Sequence, residues 1–361
     1  MDNKRIVINT LSKADAVQGH GVLSAYNEQV ALVRDGLSDE FSVAVNKPFV
    51  GDILHVHTVN FGFYLRCLFR LPRTKTVGYV HFIPETLEQS LRLPPVFKEL
   101  FYSYVVNFYK RMDHLVTVNP YFIDKLEHLR IDRSKITYIP NFVSHDRFFA
   151  IDRDLRPQLR RSYGLDADRF TVLGVGQLQV RKGVLEFMEL ASRMPDVRFV
   201  WAGDFTFGKI SDGYAQIKQI VANPPPNVTF LGLIDRERMN EVYNLADILF
   251  QPSYDELFPM TILEAMCVGL PLLLRDLVLY EGILSGYYLR GRNNDDFYEQ
   301  ITRLTEPAYY DDAAVLSRKG HQFYSKESVL EQWQSFYTLV AQTAPLTAAG
   351  RARLRAARRT V

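Results

Sequence analysis

The chain has 361 residues, more than one hydrophobic core usually serves, so its length favours two domains. Hydrophobic residues make up 47% and charged residues 23%, which excludes the disordered and fibrous classes, and only two cysteines exclude a disulfide framework or a cysteine zinc site. The net charge of +2 includes five arginines in the last eleven residues, so the basic character is local; it indicates contact with an anionic surface or an ordinary solvated tail, rather than nucleic-acid coating.

Short β-branched runs alternate with segments of helical period along the whole chain. In the first half they predict strands at 5–9, 41–45, 52–57, 76–82, 114–118 and 136–140, with helices near 21–37, 60–71, 96–112 and 119–130. In the second half they predict strands at 170–176, 197–203, 228–234, 247–253 and 270–276, followed by helices near 182–194, 208–222, 236–246, 259–268 and 276–284.

This alternation predicts an α/β protein with two doubly wound, Rossmann-like domains, each a parallel sheet covered by helices. We place the domains at 1–148 and 149–325, followed by a helix at 326–343 that can pack back on the first domain and a basic tail at 344–361. Ligands are expected at the carboxyl ends of the strands and in the cleft between the domains. The N-terminal residues do not resemble a signal peptide and no apolar run approaches transmembrane length, so we expect a cytoplasmic protein.

A glycine-bearing loop follows the first strand of the second half. It begins at Gly176, carries Arg181 and Lys182, and leads into a helix. Close backbone approach, helix N–H groups and two cations are what a diphosphate needs, although an exposed surface turn would explain the same residues.

Two carboxylates lie farther along the second half. Glu256 follows the strand at 247–253, and Pro259 suits the first turn of the helix that carries Glu264. The pair can hold several hydroxyls of one polyol ligand; the alternative is an acid favoured by the helix dipole plus a surface glutamate. The apolar neighbours of Glu264 argue against a surface position.

The first half has weaker signals. Gly19 and Gly21 begin a helix but fail the dinucleotide fingerprint, so they predict only a glycine-lined loop that faces a cleft. His81 ends a predicted strand, where active-site residues of parallel sheets lie, although a lone histidine is more often structural. His55 and His57 share a strand face without a carboxylate cluster, so we expect no metal site there.

An aromatic stripe lies on the predicted helix at 96–112. Its members are Phe97, Phe101, Tyr104 and Phe108, preceded by Leu93 and flanked by Arg92, Lys98, Lys110 and Arg111. Aromatic residues with cations around them suit the plane of an anionic bilayer. Packing into the domain core is the other fate of such a face, and we expect both to contribute.

The segment GQLQVRKG at 176–183, the seven-residue spacing between Glu256 and Glu264, and FPMTILEAM at 258–266 resemble the retaining GT-B glycosyltransferases of family 4. The resemblance covers essentially the whole chain. Within the family, the chain looks most like the Gram-positive glycolipid enzymes that add an α-linked hexose to diacylglycerol or monoglucosyl-diacylglycerol and so build the lipid anchor of lipoteichoic acid.

The resemblance implies a role for each matching residue. Catalytic roles would belong to His81 at the transferred hexose, Glu256 at the sugar hydroxyls and Lys182, with Arg181, at the donor diphosphate. The other donor-binding positions would be Gly19, Gly21 and Gly176 near the diphosphate, Leu233 and Ile234 at the uracil, backbone N–H groups of Phe258, Pro259 and Met260, and Glu264 at the ribose. Gln177 stands where the family often has arginine, which makes it a doubtful direct contact.

The resemblance also implies an activity. The first domain would face the acceptor and membrane, and the second would bind the nucleotide sugar. The enzyme would transfer a hexose from UDP-glucose or UDP-galactose to the glycerolipid with retention, as a peripheral protein on the inner face of the cell membrane. Without an obvious protein nucleophile, a front-face mechanism in which the leaving diphosphate helps deprotonate the acceptor is favoured, and no metal cofactor is expected.

Two other functions stay open. One is a transferase of the same fold that acts on soluble, cell-wall or polyprenyl-linked glycans and does not need the aromatic–basic segment. The other is a non-catalytic partner subunit, against which the intact Lys182, Glu256 and Glu264 argue. No nucleic-acid partner is expected, and the sequence does not indicate an oligomeric state.

Overall fold

The computed structural model describes residues 5–13, 21–48, 50–83, 95–205, 213–256 and 258–343. The chain divides into two compact units. The first unit consists mainly of the N-terminal strand, Val22–Pro140 and the residues from Glu327 onward, and the second consists mainly of Asn141–Lys326.

The first unit is built on a parallel sheet. Its described strands are β1 (Ile6–Leu11), β2 (Phe41–Val45), β3 (Ile53–Val56), β4 (Lys75–Val80), β5 (His114–Thr117) and β6 (Ile136–Tyr138), in the order β2-β1-β3-β4-β5-β6. The helices that follow are α1 (Gly21–Gly36), α2 (Phe61–Leu68), α3 (Pro95–Arg111) and α4 (Tyr121–His128). Every residue of β3 is buried, as expected for a central strand of a parallel sheet that is covered on both faces.

The second unit repeats this plan. Its described strands are β7 (Thr171–Val175), β8 (Arg198–Ala202), β9 (Val228–Gly232), β10 (Ile248–Gln251), β11 (Leu272–Arg275) and β12 (Leu289–Gly291), in the order β12-β11-β10-β7-β8-β9. Its helices are α5 (Arg156–Ser162), α6 (Val184–Arg193), α7 (Tyr214–Ala222), α8 (Met239–Asn244), α9 (Met260–Val268), α10 (Asn294–Leu304) and α11 (Pro307–Phe323). The strands pair in parallel, so the α/β prediction with two doubly wound sheets is confirmed.

The last described helix, α12 (Lys326–Gln342), packs on the first sheet. The Tyr337 hydroxyl lies 2.7 Å from Nδ1 of His55 on β3 and accepts a 2.9 Å hydrogen bond from Nε2 of Gln29 on α1. The Trp333 ring contacts the His55 ring, with centroids 5.6 Å apart. The C-terminal helix is therefore part of the core of the first unit.

The second half departs from the sequence-based expectation at one predicted helix and at four elements that were not predicted. The helix predicted at 276–284 is wrong, because this segment forms only a short 3₁₀ turn, Val278–Tyr280, followed by irregular turns. Its apolar residues Ile283 and Leu284 are buried as loop anchors rather than as one face of a helix. Strand β12 and the helices α5, α10 and α11 were not predicted.

Candidate active site

The glycine loop begins where strands β7 and β8 end side by side. Gly176 has a φ of +150°, its N–H donates to the Ala202 carbonyl at 3.0 Å, and its own carbonyl accepts from Nε1 of Trp201 at 2.9 Å. A Cβ on Gly203 would lie 2.0 Å from the Gly176 carbonyl oxygen, so no other residue fits there. The two strand ends are thus locked together before the loop reaches its cations.

The loop ends against the segment that follows β10. After a short 3₁₀ turn, Val180–Lys182, the chain passes through Gly183 at φ +74° into α6. A Cβ on Gly183 would lie 2.5 Å from the Pro252 carbonyl oxygen, and the Tyr254 N–H donates to the Arg181 carbonyl at 2.8 Å. Because β7 and β10 are neighbours in the sheet, their C-terminal loops touch.

This contact brings Lys182 and Glu256 together as a buried ion pair. The Lys182 ammonium donates to Oε1 of Glu256, and the Gln251 side-chain amide donates to the same oxygen at 3.1 Å. Burial would raise the pKa of Glu256, but Lys182 and Arg181 outweigh it and hold this pKa below its ordinary value. Glu256 is therefore ionised.

The same loop also carries Arg181 and Gln177. Nε of Arg181 donates to Oε1 of Gln179 at 2.9 Å, and the positive charge of Arg181 helps to hold the pKa of Glu256 below its ordinary value. Oε1 of Gln177 is buried and has no hydrogen-bond partner among the residues that the structure describes.

Glu264 is the second buried carboxylate of the site. It lies on α9, where Nη1 of Arg236 donates to Oε1 at 2.8 Å and the Tyr243 hydroxyl donates to Oε2 at 2.6 Å. Arg236 begins the 3₁₀ turn that follows Leu233 and Ile234, and Leu233 is exposed at the end of β9. Glu264, its two donors and the proposed uracil turn therefore belong to one corner of the second unit.

The start of α9 corrects one expectation. Pro259 is the N-cap in an extended conformation (φ −69°, ψ 134°), and proline carries no backbone N–H. The expectation that Pro259 donates a backbone hydrogen bond is wrong, and only Phe258, Met260 and the next residue, Thr261, can donate at this helix start. The Thr261 hydroxyl donates to Oε1 of Gln251 at 3.0 Å, which fixes α9 to β10.

His81 lies in the first unit, directly after β4. Its ring stacks on Tyr79 with centroids 4.3 Å apart and lies 6.0 Å from the His57 ring. Gly21 is the first residue of α1, and Gly19 lies outside the described residues. The structure therefore brings Arg181, Lys182 and Glu256 together, while His81 belongs to the other unit.

The aromatic stripe on α3 is divided between packing and exposure. Phe108 is buried, and Phe101 and Tyr104 are half-buried, with Tyr104 packed edge-on against Tyr64 of α2 at 5.6 Å. Phe97 is 66% exposed. The half-buried Lys98 and Lys110 and the exposed Arg111 lie on the same helix, while Arg92 and Leu93 lie outside the described residues.

Sequence reasoning missed a second exposed apolar group on the first unit. Phe61 on α2 is 64% exposed, and Phe69 and Leu71, just beyond this helix, are 83% and 69% exposed. All three lie in the largely apolar run FGFYLRCLFRLP at 61–72, whose spacing does not separate exposed from buried positions. Within the described residues, no helix is long and apolar enough to cross a membrane.

Two family models and several curated relatives match this chain. The family described as Glycosyl transferases group 1 matches residues 156–307, and Glycosyltransferase Family 4 matches residues 51–147. The chain is 42% identical to the alpha-galactosylglucosyldiacylglycerol synthase of Streptococcus pneumoniae over 338 residues, which are 93% of this chain and 90% of the relative. The chain belongs to glycosyltransferase family 4.

Other matches to this family 4 glycosyltransferase are more distant. The processive diacylglycerol alpha-glucosyltransferase of Acholeplasma laidlawii is 26% identical over 251 residues, 69% of this chain and 73% of the relative. The crystal structure of Anabaena HepE in complex with UDP-glucose has a TM-score of 0.75 at 14% identity, covering 92% of this chain and 100% of HepE. Sucrose-phosphate synthase of Thermosynechococcus elongatus has a TM-score of 0.74 at 18% identity, covering 93% and 99%. The predicted family and fold are confirmed.

Two polar residues of this glycosyltransferase were not found from its sequence. Arg236 and Tyr243 precede Glu264 by 28 and 21 positions, and only the fold places them on its carboxylate. Among the described residues, no group of three His, Cys, Asp or Glu side chains is arranged to hold a metal ion.

Proposed function

We propose that this glycosyltransferase transfers a hexose from a UDP-sugar to diacylglycerol or monoglucosyl-diacylglycerol and forms an α-linked membrane glycolipid. The observation that carries the proposal is the Lys182–Glu256 ion pair, in the same unit as the buried Glu264 and in a chain 42% identical to the alpha-galactosylglucosyldiacylglycerol synthase of Streptococcus pneumoniae. Desolvating two charges often costs more free energy than their attraction returns, so a buried pair at the strand ends favours a ligand-binding role over a stabilising one.

The donor would lie along the C-terminal ends of the strands of the second unit. Lys182 and Arg181 would bind the diphosphate, assisted by the N–H groups at the start of α9. Glu256 would accept hydrogen bonds from hydroxyls of the hexose, and Glu264 from the ribose. The uracil would meet backbone groups near Leu233 and Ile234. In this scheme, Lys182 exchanges its contact with Glu256 for a phosphate oxygen when the donor binds.

The chemistry would rest on charge stabilisation and positioning. As the bond between the hexose and the diphosphate breaks, negative charge grows on the phosphate oxygens, where Lys182 and Arg181 are already placed. The leaving phosphate oxygen would take the proton of the attacking acceptor hydroxyl on the same face of the sugar, which gives retention. His81 would contact the hexose near the reacting carbon.

The lipid acceptor would be reached from a membrane surface. Phe97 is exposed on α3 beside Lys98, and Phe61, Phe69 and Leu71 add apolar side chains on the same unit. Apolar anchors with nearby cations bind anionic bilayers reversibly. The enzyme would therefore act as a peripheral protein on the inner face of the cell membrane.

The product decides the proposal. The purified protein is incubated with UDP-glucose or UDP-galactose and with vesicles that contain diacylglycerol or glucosyl-diacylglycerol, and the lipids are analysed by mass spectrometry. Because the pneumococcal relative is named for galactosylglucosyldiacylglycerol, UDP-galactose with glucosyl-diacylglycerol is the first pair to test. A lipid heavier by the mass of one hexosyl residue is the expected result.

Two controls separate the other functions. Donor hydrolysis without any lipid product, or transfer to a polyprenyl-linked or soluble glycan instead, would overturn the lipid acceptor. Neither hydrolysis nor transfer with any pair, in protein that still binds UDP, would support a non-catalytic subunit. The variant Lys182→Ala serves as the negative control for contaminating activity.

A further inference from the structure

Glu264 is held at both carboxylate oxygens by side chains of its own unit. The Tyr243 hydroxyl donates to Oε2 at 2.6 Å, and Nη1 of Arg236 donates to Oε1 at 2.8 Å. A carboxylate offers about four lone-pair positions, so two donors leave room for two more hydrogen bonds. A ribose presents two neighbouring hydroxyls, which is the donor set that such a half-occupied carboxylate can accept.

The two donors differ in how firmly they are placed. Tyr243 on α8 is fully buried, and its ring packs edge-on against Phe148 with centroids 5.7 Å apart. Burial and the Glu264 charge raise the pKa of Tyr243 well above its ordinary value, so the hydroxyl keeps its proton and stays a donor. Arg236 is 29% exposed, and its guanidinium lies 5.4 Å from the Phe148 ring centroid. Tyr243 thus contacts the carboxylate from the protein interior, and Arg236 from the side nearer to solvent.

We propose that Tyr243 is a positioning residue for nucleotide binding: its hydroxyl fixes Oε2 of Glu264 from the interior and turns the remaining lone pairs toward the ribose hydroxyls of the donor. This inference rests on the proposed function, in which Glu264 meets the ribose. Without the hydroxyl, Glu264 is free to turn toward Arg236 and the carboxylate no longer presents one fixed face. The ribose contact contributes to binding in the ground state and the transition state alike, so its loss raises KM more than it lowers kcat.

The test compares two ligands that differ only in the ribose. Dissociation constants for UDP and for 2′,3′-dideoxy-UDP are measured by calorimetry for the parent, Tyr243→Phe and Glu264→Gln. We expect Tyr243→Phe to weaken UDP binding about tenfold, as loss of a hydrogen bond to a charged group does, and to change dideoxy-UDP binding less than about twofold. In steady-state kinetics with varied UDP-sugar, kcat should stay within about threefold of the parent value, while KM for the UDP-sugar rises about tenfold.

Tyr309→Phe is the matched control, since it removes another hydroxyl with a 2.6 Å hydrogen bond, to Gln300, on α11 of the same unit. It should leave both dissociation constants unchanged. If Tyr243→Phe weakens both ligands equally, or leaves the preference for UDP intact, the positioning role is wrong. A parent protein that does not distinguish the two ligands also overturns it.

A double variant covers the case in which Tyr243→Phe alone does not fold. Tyr243→Phe combined with Glu264→Gln removes the buried carboxylate that would otherwise lose a donor, and it is compared with Glu264→Gln. Equal ligand preference in the two supports action of the hydroxyl through the carboxylate, whereas a further loss in the double variant contradicts it. Because UDP binding needs neither hexose transfer nor lipid, failure of the glycolipid assay leaves this result interpretable by itself.

Discussion

The two sheets share one architecture, but the side chains at the C-terminal ends of their strands differ in chemistry. In the second unit, the ends of β7 and β10 carry the buried, charged pair Lys182 and Glu256. In the first unit, the ends of β3 and β4 carry stacked aromatic rings: the His57 centroid lies 4.9 Å from that of Tyr79, and the Tyr79 centroid lies 4.3 Å from that of His81. The fold alone therefore does not assign a ligand; the side chains at the strand ends do.

Burial has opposite consequences in the two places. It lowers the pKa of His55 to about 3, with the neighbouring His81 acting in the same direction, and it also lowers the pKa of His57. The imidazoles of His55 and His57 stay neutral, so the C-terminal ends of these strands suit uncharged ligand groups such as hydroxyls. At the strand ends of the second sheet, Lys182 and Glu256 stay charged because they are paired, which suits an anionic ligand that can take the place of one partner.

The largest effect on turnover is expected from substitutions of the charged pair Lys182 and Glu256. Lys182→Ala and Glu256→Ala should each lower kcat by about 10²–10³, because a preorganised contact to the developing charge is lost. Steady-state kinetics measures this, with circular dichroism to verify the fold and exposed Lys319→Ala, on α11, as the charge-matched control. Near-normal turnover of either variant would contradict the donor site.

A substitution of His81, at the strand ends of the first sheet, should affect transfer without affecting nucleotide binding. We expect His81→Ala to lower kcat about a hundredfold through a lost contact at the hexose, while UDP affinity changes little. Calorimetry with UDP beside the kinetic assay separates the two, and exposed His128→Ala is the control in the same unit. Lost UDP affinity with unchanged turnover would reverse the assignment of the two sets of strand ends.

Membrane association should depend on the first unit only. Each cation near an anionic surface contributes about 1 kcal/mol, so changing Arg92, Lys98, Lys110 and Arg111 to serine should weaken vesicle binding by about a hundredfold or more. Co-sedimentation at rising salt measures it, and the weakening with salt should be steep. The control changes Lys218, Arg318 and Lys319, exposed cations of the second unit, to serine.

A chain that ends at Gly350 tests the arginine tail in the same experiment. It should bind vesicles more weakly than the parent. Equal binding by the parent, the variant with four cations changed to serine and the shortened chain would show that neither segment contacts the membrane.

The neutral histidines also predict a pH dependence of stability. An unfolded chain protonates His55 near pH 6.5, whereas the folded chain does so only near pH 3, so the free energy of unfolding falls as the pH drops below 6.5. Each such histidine contributes about 1.4 kcal/mol per pH unit. Denaturant titrations between pH 7.5 and 5 measure the slope. His55→Gln should flatten it and exposed His128→Gln should not; an unchanged slope in His55→Gln would contradict a neutral buried imidazole.

The smallest expected effect is that of metal removal. Because Lys182, Arg181 and a helix start supply positive charge at the proposed diphosphate site, we expect chelator to leave transfer unchanged. Initial rates with and without chelator, then with added magnesium or manganese, test this. Loss of activity that either ion restores would mean that a bound cation carries part of the phosphate charge.

Periodicity predicted the sheets well and the side-chain partnerships poorly. Strands such as β3, β7 and β10 are short, apolar and bounded by polar residues, so they could be recognised locally. That β7 and β10 are neighbours, and that Lys182 therefore meets Glu256, depends on strand order, which no local pattern encodes. The partners of Glu264 were missed for the same reason.

Helix errors in the second half have a different cause. The segment at 276–284 has a helix-like apolar spacing, but its buried residues anchor a loop, so tertiary packing overrides the local pattern. Helix α10 was overlooked although Asn293 caps it by accepting hydrogen bonds from the N–H groups of Asp295 and Asp296.

The return of α12 to the first sheet has a consequence for biosynthesis. As the chain leaves the ribosome, residues 141–326 are complete before the helix that supplies Tyr337 to His55 has been made. The second unit can therefore finish folding while the first still lacks a wall of its core. A chain that ends at Ser325 and has been released from the ribosome should protect residues 141–325 from protease and leave the sheet of the first unit open to cleavage.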